Sequence, residues 1–359
     1  MKAISGPLAL LMGVLLAGTA FAAGDGLASP ENTAPVAENQ ELETYRGVSV
    51  GGRLSAYDAE GDALTYELAT EPLKGTVAIS ADGCFVYTPD EGRRGRDYFS
   101  FRAVDARGSA SQEGTVIIRL LKQKTKLTYA DMSGSSAEYA AVALTEAGVF
   151  TGEALGSDYV FVPGGNVTRG EFLTMCMNAA DCRLLSGVRT TGFLDDGEIA
   201  GWLKPYVATA LMHGYIRGTA AETGAVFRPE APITLRDACV MLNAVLGVTD
   251  VVSVGAYVDD SVTEGAQAVA NLTASHVMLS RWEDLDAVLN RSQAAELLQN
   301  AMELLARRSE IPANRPMQRR RSETGAPPAF SFVSIKSLRP DSSRRSNSQN
   351  QRRRYQTPA

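Results

Sequence analysis

The sequence holds little of what catalytic and metal centres are usually built from. It has 2 histidines and 4 cysteines in 359 residues. Cys84, Cys176, Cys182 and Cys239 lack the paired short spacing of a zinc site. They are few for the length and read as buried thiols, although Cys176–Cys182 would be the least strained bridge by proximity. His213 abuts a turn glycine and His276 replaces one, so both read as turn residues. No Ser/His/Asp or Cys/His arrangement stands out, and the chain reads as no enzyme. Long apolar runs are missing too. Leu8–Leu16 falls short of the about 20 residues that span a bilayer, and no later segment is apolar enough to cross one. Lys2 before that run and Ala20-Phe21-Ala22 after it mark an export signal over 1–22. The mature chain is expected to be secreted, and export would permit disulfides.

Positive charge is scarce in the body and concentrated at the end. The formal net charge is −6, but residues 307–359 hold 13 Lys/Arg against 3 Asp/Glu, a tail of +10 on a body of −16. The tail is rich in Arg, Ser, Pro, Asn and Gln and is expected to be disordered. Arg319-Arg320-Arg321 and Arg352-Arg353-Arg354 read either as a solvated run or as a contact for an anionic polymer. Without aromatic interleaving, specific nucleic-acid recognition is not expected.

Between signal and tail the patterning has two rhythms. After a linker at 23–31, residues 32–121 follow period two: Leu64, Tyr66 and Leu68, then Phe99, Phe101 and Ala103, then Val116, Ile118 and Leu120. Gly61, Gly83, Gly92 and Gly108 punctuate them within turn signals. Short alternating strands with regular turns predict an all-β sandwich. After Lys126 apolar residues recur at helical spacing, and the segment repeats itself. Tyr129-Ala130-Asp131, Phe193-Leu194-Asp195 and Tyr257-Val258-Asp259 correspond, their aspartates 64 residues apart. Each precedes a helical stretch and a turn: Gly148–Gly152, Gly214–Gly218 and His276–Ser280. A second helix follows in each copy, with apolar faces such as Phe172, Met175, Cys176 and Ala179. The copies are bounded at 127–182, 190–248 and 254–306, and together predict three helix-turn-helix units sharing a core.

Those second helices open on Thr168-Arg169-Gly170-Glu171, Thr234-Leu235-Arg236-Asp237 and Asn290-Arg291-Ser292-Gln293. Thr168, Thr234 and Asn290 are N-caps, and Glu171, Asp237 and Gln293 stand where a capping box reaches back. Arg169 and Arg291 are surplus to capping. At the first helical position a cation faces the positive end of the helix dipole, at a cost of a few tenths of a kcal/mol. An anion bound there, by free N–H groups, the dipole and a guanidinium fork, would make them intelligible. Leu235 takes the aligned place in the second copy. Arg236, one residue on, points elsewhere because one step turns a side chain by about 100°.

These features resemble the S-layer homology (SLH) family: an aromatic-x-Asp, a helix, a glycine-bounded turn, Phe161-Val162-Pro163 or Phe227-Arg228-Pro229, then the Thr-Arg start. The resemblance covers about 127–306 and is weakest in the third copy. It implies a pseudo-threefold all-α bundle whose grooves bind an anionic, often pyruvylated, secondary cell-wall polysaccharide, with Arg169 and Arg291 engaging the acidic groups. Residues 32–121 resemble the cadherin-like, Ig-type tandem-repeat domains of bacterial surface proteins. The carrying segments are Asn32–Pro35, Asp58–Asp62, Gly83–Pro89, Gly95–Phe99 and Asp105–Gly108. Such domains are spacers or adhesins with surface partners, and some bind calcium; Asp58, Glu60, Asp62 and Asp105 would offer the hard oxygens. The expected protein is anchored non-covalently at the bacterial cell wall or S-layer. The alternative is an accessory or tethering part of a wall- or glycan-active enzyme.

Overall fold

The computed structural model describes residues 32–156, 158–249, 260–279 and 284–310. The expected export signal, the 23–31 linker, Tyr257-Val258-Asp259 and all of the basic tail beyond residue 310 lie outside the described residues. The alternating segments form nine strands: β1 (Val36–Ala37), β2 (Gln40–Tyr45), β3 (Val50–Arg53), β4 (Ala56–Tyr57), β5 (Thr65–Thr70), β6 (Gly75–Ile79), β7 (Cys84–Pro89), β8 (Gly95–Val104) and β9 (Gly114–Leu121). They build a sheet in the order β2-β9-β8-β5, with β2 and β9 parallel, and a second in the order β3-β7-β6. β1 pairs with β4. The buried side chains of β8 and β9, among them Phe99, Phe101, Val116 and Ile118, meet Phe85 and Tyr87 of β7. The rings of Phe85 and Phe99 lie edge to face at 5.2 Å. The glycine of each expected turn sits at positive φ, from 72° at Gly92 to 88° at Gly83 and Gly108, where a side chain would strain the backbone.

The later region is helical, as the change of period predicts. Its elements are α1 (Glu138–Glu146), the hairpin β10 (Glu153–Leu155) and β11 (Asp158–Val160), and α2 (Arg169–Ala179). They recur as α3 (Lys204–Met212), β12 (Thr219–Ala221), β13 (Gly224–Val226) and α4 (Leu235–Leu246), and then as α5 (Asp260–Ala274) and α6 (Arg291–Glu310). The hairpins between turn and second helix carry no apolar alternation, so no pattern in the sequence announces them. The last copy is expected to end at 306, whereas α6 runs on to Glu310. Arg307 and Arg308 occupy its last turn, where the helix dipole favours cations, and Arg308 Nη1 donates to Leu246 O at 3.1 Å.

The segments that enter α2, α4 and α6 meet one another. Val167 N donates to Leu289 O, Leu289 N to Ile233 O, and Ile233 N to Val167 O, at 3.2, 2.9 and 2.9 Å. This closed ring of backbone bonds ties the three cap segments together around three buried apolar side chains. Burying a segment this way is tolerable only because its amides find partners.

The β-domain is docked on the helical region. β3 is a sheet edge, and the chain entering α1 covers it: Gly51 N donates to Ser136 O at 2.9 Å and Tyr139 N to Ser49 O at 3.0 Å. Glu138, buried at 5% exposure, accepts from Ser49 N and Gly134 N. Arg53 Nη1 reaches Leu279 O at 2.9 Å.

Candidate functional site

The capping residues divide by copy. Thr168 Oγ1 accepts from Glu171 N at 3.2 Å and Glu171 Oε2 accepts from Thr168 N at 2.9 Å, a complete capping box. Asn290 and Gln293 exchange the same two bonds at 2.9 and 3.1 Å. In the second copy Thr234 caps Asp237 N at 3.2 Å, but the Asp237 carboxylate does not reach back. Asp237 supports its helix through its amide alone. Its side chain is one methylene shorter than Glu171.

The amides at these helix starts are not available to an anion, contrary to the sequence expectation. Arg169 N and Gly170 N donate to Ala231 O and Pro229 O, Leu235 N and Arg236 N to Ala287 O and Leu285 O, and Arg291 N and Ser292 N to Gly165 O and Pro163 O. The third amide of each helix is taken by the cap side chain. Of the groups expected to face an anion, the guanidinium alone is not tied up by these backbone and cap bonds.

That guanidinium is held by residues the sequence reading treated as repeat markers. Asp131 accepts from Phe161 N at 2.8 Å and Val162 N at 2.7 Å, and Asp195 accepts from Phe227 N and Arg228 N at 2.9 and 2.6 Å. The clamp fixes Val162 and Arg228 at φ of 57° and 56°, a left-handed backbone. It also aims the carbonyls of the two phenylalanines. Arg291 Nε donates to Phe161 O at 2.7 Å and Nη2 to Thr151 O at 2.8 Å, while its guanidinium lies 4.4 Å from the Phe150 ring centroid and 4.9 Å from that of Phe161. Arg169 Nε donates to Phe227 O at 3.1 Å, 5.8 Å from that ring's centroid. Each arginine therefore crosses from its own copy to the aromatic turn of another.

The two arginines differ in charge balance. Arg169 Nη1 bonds Asp237 Oδ2. Arg291 has no carboxylate within salt-bridge reach among the described residues; burial lowers its pKa from the ordinary arginine value, partly countered at longer range by Glu171, Glu153, Tyr129 and Asp131. Leu235, at the aligned place, is buried at 3% exposure. Arg236 turns away as expected, with Nε and Nη2 on Asp286 at 2.9 and 3.3 Å.

The four acids expected to hold calcium are not brought together as a set. Asp58 Oδ1 accepts from Glu60 N and Asp62 N, Glu60 accepts from Thr33 Oγ1, and Asp105 accepts from Arg107 N, Ser109 N and Asn32 Nδ2. These are turn bonds. Among the described residues no three or more His, Cys, Asp or Glu side chains are arranged to hold a metal. Yet Asn32 Oδ1 and Asp58 Oδ2 are buried without hydrogen-bond partners, while Asp62 Oδ2 has only an ion pair, with Arg107 Nε at 3.5 Å. The four cysteines are all free, with no Cys176–Cys182 bridge, and burial pushes the Cys239 thiol up to about 12. His213 stacks on Tyr215 at 5.4 Å, and His276 sits at φ 58° in the turn where it replaces a glycine.

Comparison with known proteins agrees with this anatomy. Residues 32–122 match the bacterial cadherin-like domain, and residues 128–173 and 192–239 match the S-layer homology domain. A surface-layer 125 kDa protein of Lysinibacillus sphaericus is 26% identical over 145 residues, which is 40% of this chain and 12% of that protein. The chain thus spans a small part of the relative's length. Among solved structures, the SrpA adhesin of Streptococcus sanguinis is 21% identical over 28% of this chain and 67% of its own, with a TM-score of 0.21. An endo-fucoidan hydrolase of glycoside hydrolase family 107 is 21% identical over 26% of this chain and 17% of its own, also at 0.21. Likenesses at that score carry no functional argument. Among the described residues no helix is long and apolar enough to cross a membrane.

Proposed function

The chain is an S-layer homology domain protein with an N-terminal bacterial cadherin-like domain, and from that premise we propose that it holds itself to the cell wall by gripping the acidic groups of an anionic, pyruvylated secondary polysaccharide. Its domains and its surface-layer relative support cell-wall anchoring of a surface protein. The finer reading places the three helical copies in a pseudo-threefold bundle about the ring of Val167, Ile233 and Leu289, with Arg169 and Arg291 as polymer contacts in grooves between copies. The observation that carries it is Arg291: a guanidinium fixed by two carbonyls and two aromatic rings, with no carboxylate paired to it directly among the described residues. A planar fork of that kind suits a carboxylate such as a pyruvate ketal. The β-domain serves as a docked spacer or adhesin.

Purified wall sacculi, before and after chemical removal of the secondary polymer, test this in a pull-down. The protein should be retained only by polymer-bearing sacculi, and the double variant Arg169→Ala/Arg291→Ala should be retained more than tenfold less. Equal retention of the double variant would remove the arginine assignment. The reading contains no catalytic step, so no glycan fragments should be released during the incubation; their release would favour a tethered enzyme.

A further inference from the structure

We propose that Asp237 is a built-in carboxylate that occupies Arg169, so that the groove at Arg291, in the copy weakest by sequence, is the one open to the polymer; this rests on the polymer reading above.

The third residue of each second helix decides it. Glu171 and Gln293 are long enough to bond back to the cap amides at 2.9 and 3.1 Å. Asp237 falls short by one methylene and is left with a free carboxylate beside the neighbouring copy's arginine. Its Oδ2 takes Arg169 Nη1, while Phe227 O takes Arg169 Nε. The guanidinium already holds a carboxylate. The surrounding pocket, about 220 Å³, is balanced throughout: Arg217 stands 3.7 Å from Glu264, and Arg236 bonds Asp286. A ligand there must displace a pair whose acid is 47% exposed and whose arginine is 13% exposed.

Arg291 is held in the same way, by a phenylalanine carbonyl and aromatic rings, and is balanced differently. Glu171, the residue equivalent to Asp237, is engaged with its own cap and makes no ion pair with Arg291. Arg291 Nε and Nη2 are positioned by carbonyls, and Nη1 has no partner among the described residues. Arg291 is partly desolvated, and Glu171, Glu153 and Asp131 act on it only from beyond ion-pair distance, so an incoming carboxylate gains the direct contact that Asp237 already makes at Arg169. Sequence similarity therefore ranks the copies in the opposite order from charge balance.

Calorimetric titration with a methyl glycoside bearing a pyruvate ketal tests the assignment, with the same glycoside lacking the ketal as control. The unaltered protein should bind one equivalent. Arg291→Ala should weaken binding more than tenfold, and by far more than Arg169→Ala does. Arg291→Lys, which keeps the charge and the packing stem, covers the case in which the alanine variant fails to fold and should weaken binding in the same direction. Asp237→Glu should restore the capping box, release Arg169 and raise the stoichiometry to two, and adding Arg169→Ala should return it to one. Two equivalents in the unaltered protein, equal losses at both arginines, or one equivalent in Asp237→Glu would overturn the inference while sacculus binding stood. Failure of the unaltered protein to bind polymer-bearing sacculi would overturn the polymer reading itself, and this inference with it.

Discussion

At the scale of single residues, Asp131 carries more of the site than any cap does. Its two oxygens take the amides of Phe161 and Val162, and so hold a β-branched residue at φ 57° and point the Phe161 carbonyl at Arg291. Left-handed backbone costs an L-residue about 1–2 kcal/mol, which the carboxylate offsets. Hydrogen bonds to a charged group contribute about 1.5–3 kcal/mol each. Asp131→Ala should therefore lower the unfolding free energy by about 2–4 kcal/mol, read by urea denaturation, and Asp131→Asn by less, since one acceptor oxygen remains. A loss below about 1 kcal/mol in the alanine variant would mean the clamp is decorative. The even spacing of Asp131 and Asp195 is visible in the sequence, but their job is not, because the amides they serve arrive from 30 to 33 residues along the chain. Thr168 and Glu171 were legible because their bonds are local. The Arg169 partner was not: it lies 68 residues away and depends on Asp237 being too short for its own cap.

At the scale of elements, periodicity located the long strands and helices, and turn glycines located their ends. It did not locate β10 through β13, exposed or half-buried three-residue strands set by the turn and clamp around them. The turn acids at the tip of the β-domain were legible as acids but not as a set. Asp105 and Glu60 are engaged with backbone and hydroxyl groups and Asp62 Oδ2 faces Arg107 Nε at 3.5 Å, which leaves Asn32 and Asp58 with buried oxygens lacking partners. An unsatisfied buried acceptor costs about 1–3 kcal/mol, and calcium is the hard cation such oxygens suit. Calcium at a hundredfold excess over its dissociation constant would add about 2.7 kcal/mol of stability. Thermal melts should therefore shift upward by several degrees in millimolar calcium, with no shift in magnesium. Asp58→Asn should abolish the calcium shift. A melt indifferent to calcium would assign those oxygens to water.

At the scale of the whole molecule, the two domains share a junction that no local pattern announces. Gly51 is glycine because the chain entering α1 lies against it: an added Cβ would sit 2.6 Å from Ser136 Cβ. The contact joins residues up to 89 positions apart, so it could be found only in three dimensions. Behind it stand two acids of α6. Glu296 accepts from Ser136 Oγ at 2.7 Å and Glu303 from Gln299 at 3.2 Å. Burial raises both carboxyls above the ordinary value of 4.5, partly countered at Glu296 by Ser136 and at Glu303 by Gln299 and Arg307; Glu43 adds to the rise at Glu303. The sign follows from proton binding: a carboxyl raised in the folded state keeps a proton that the unfolded chain has already released. Each acid therefore costs nothing below pH 4.5, and its penalty grows as pH climbs through the window above that value and then levels off once the folded form has ionised. A neutral glutamine carries no such penalty. Glu296→Gln and Glu303→Gln should match the parent protein in urea midpoint near pH 4 and exceed it near pH 7. The comparison with the parent cancels acids of opposite sign elsewhere, such as Glu146, whose carboxyl resists its burial through bonds from Thr125 and Tyr45 and ends lowered. A difference independent of pH would show that the glutamines act by packing, whereas one that opens between pH 4 and 7 would place a joint that loosens as pH rises where the cadherin-like domain meets the helices.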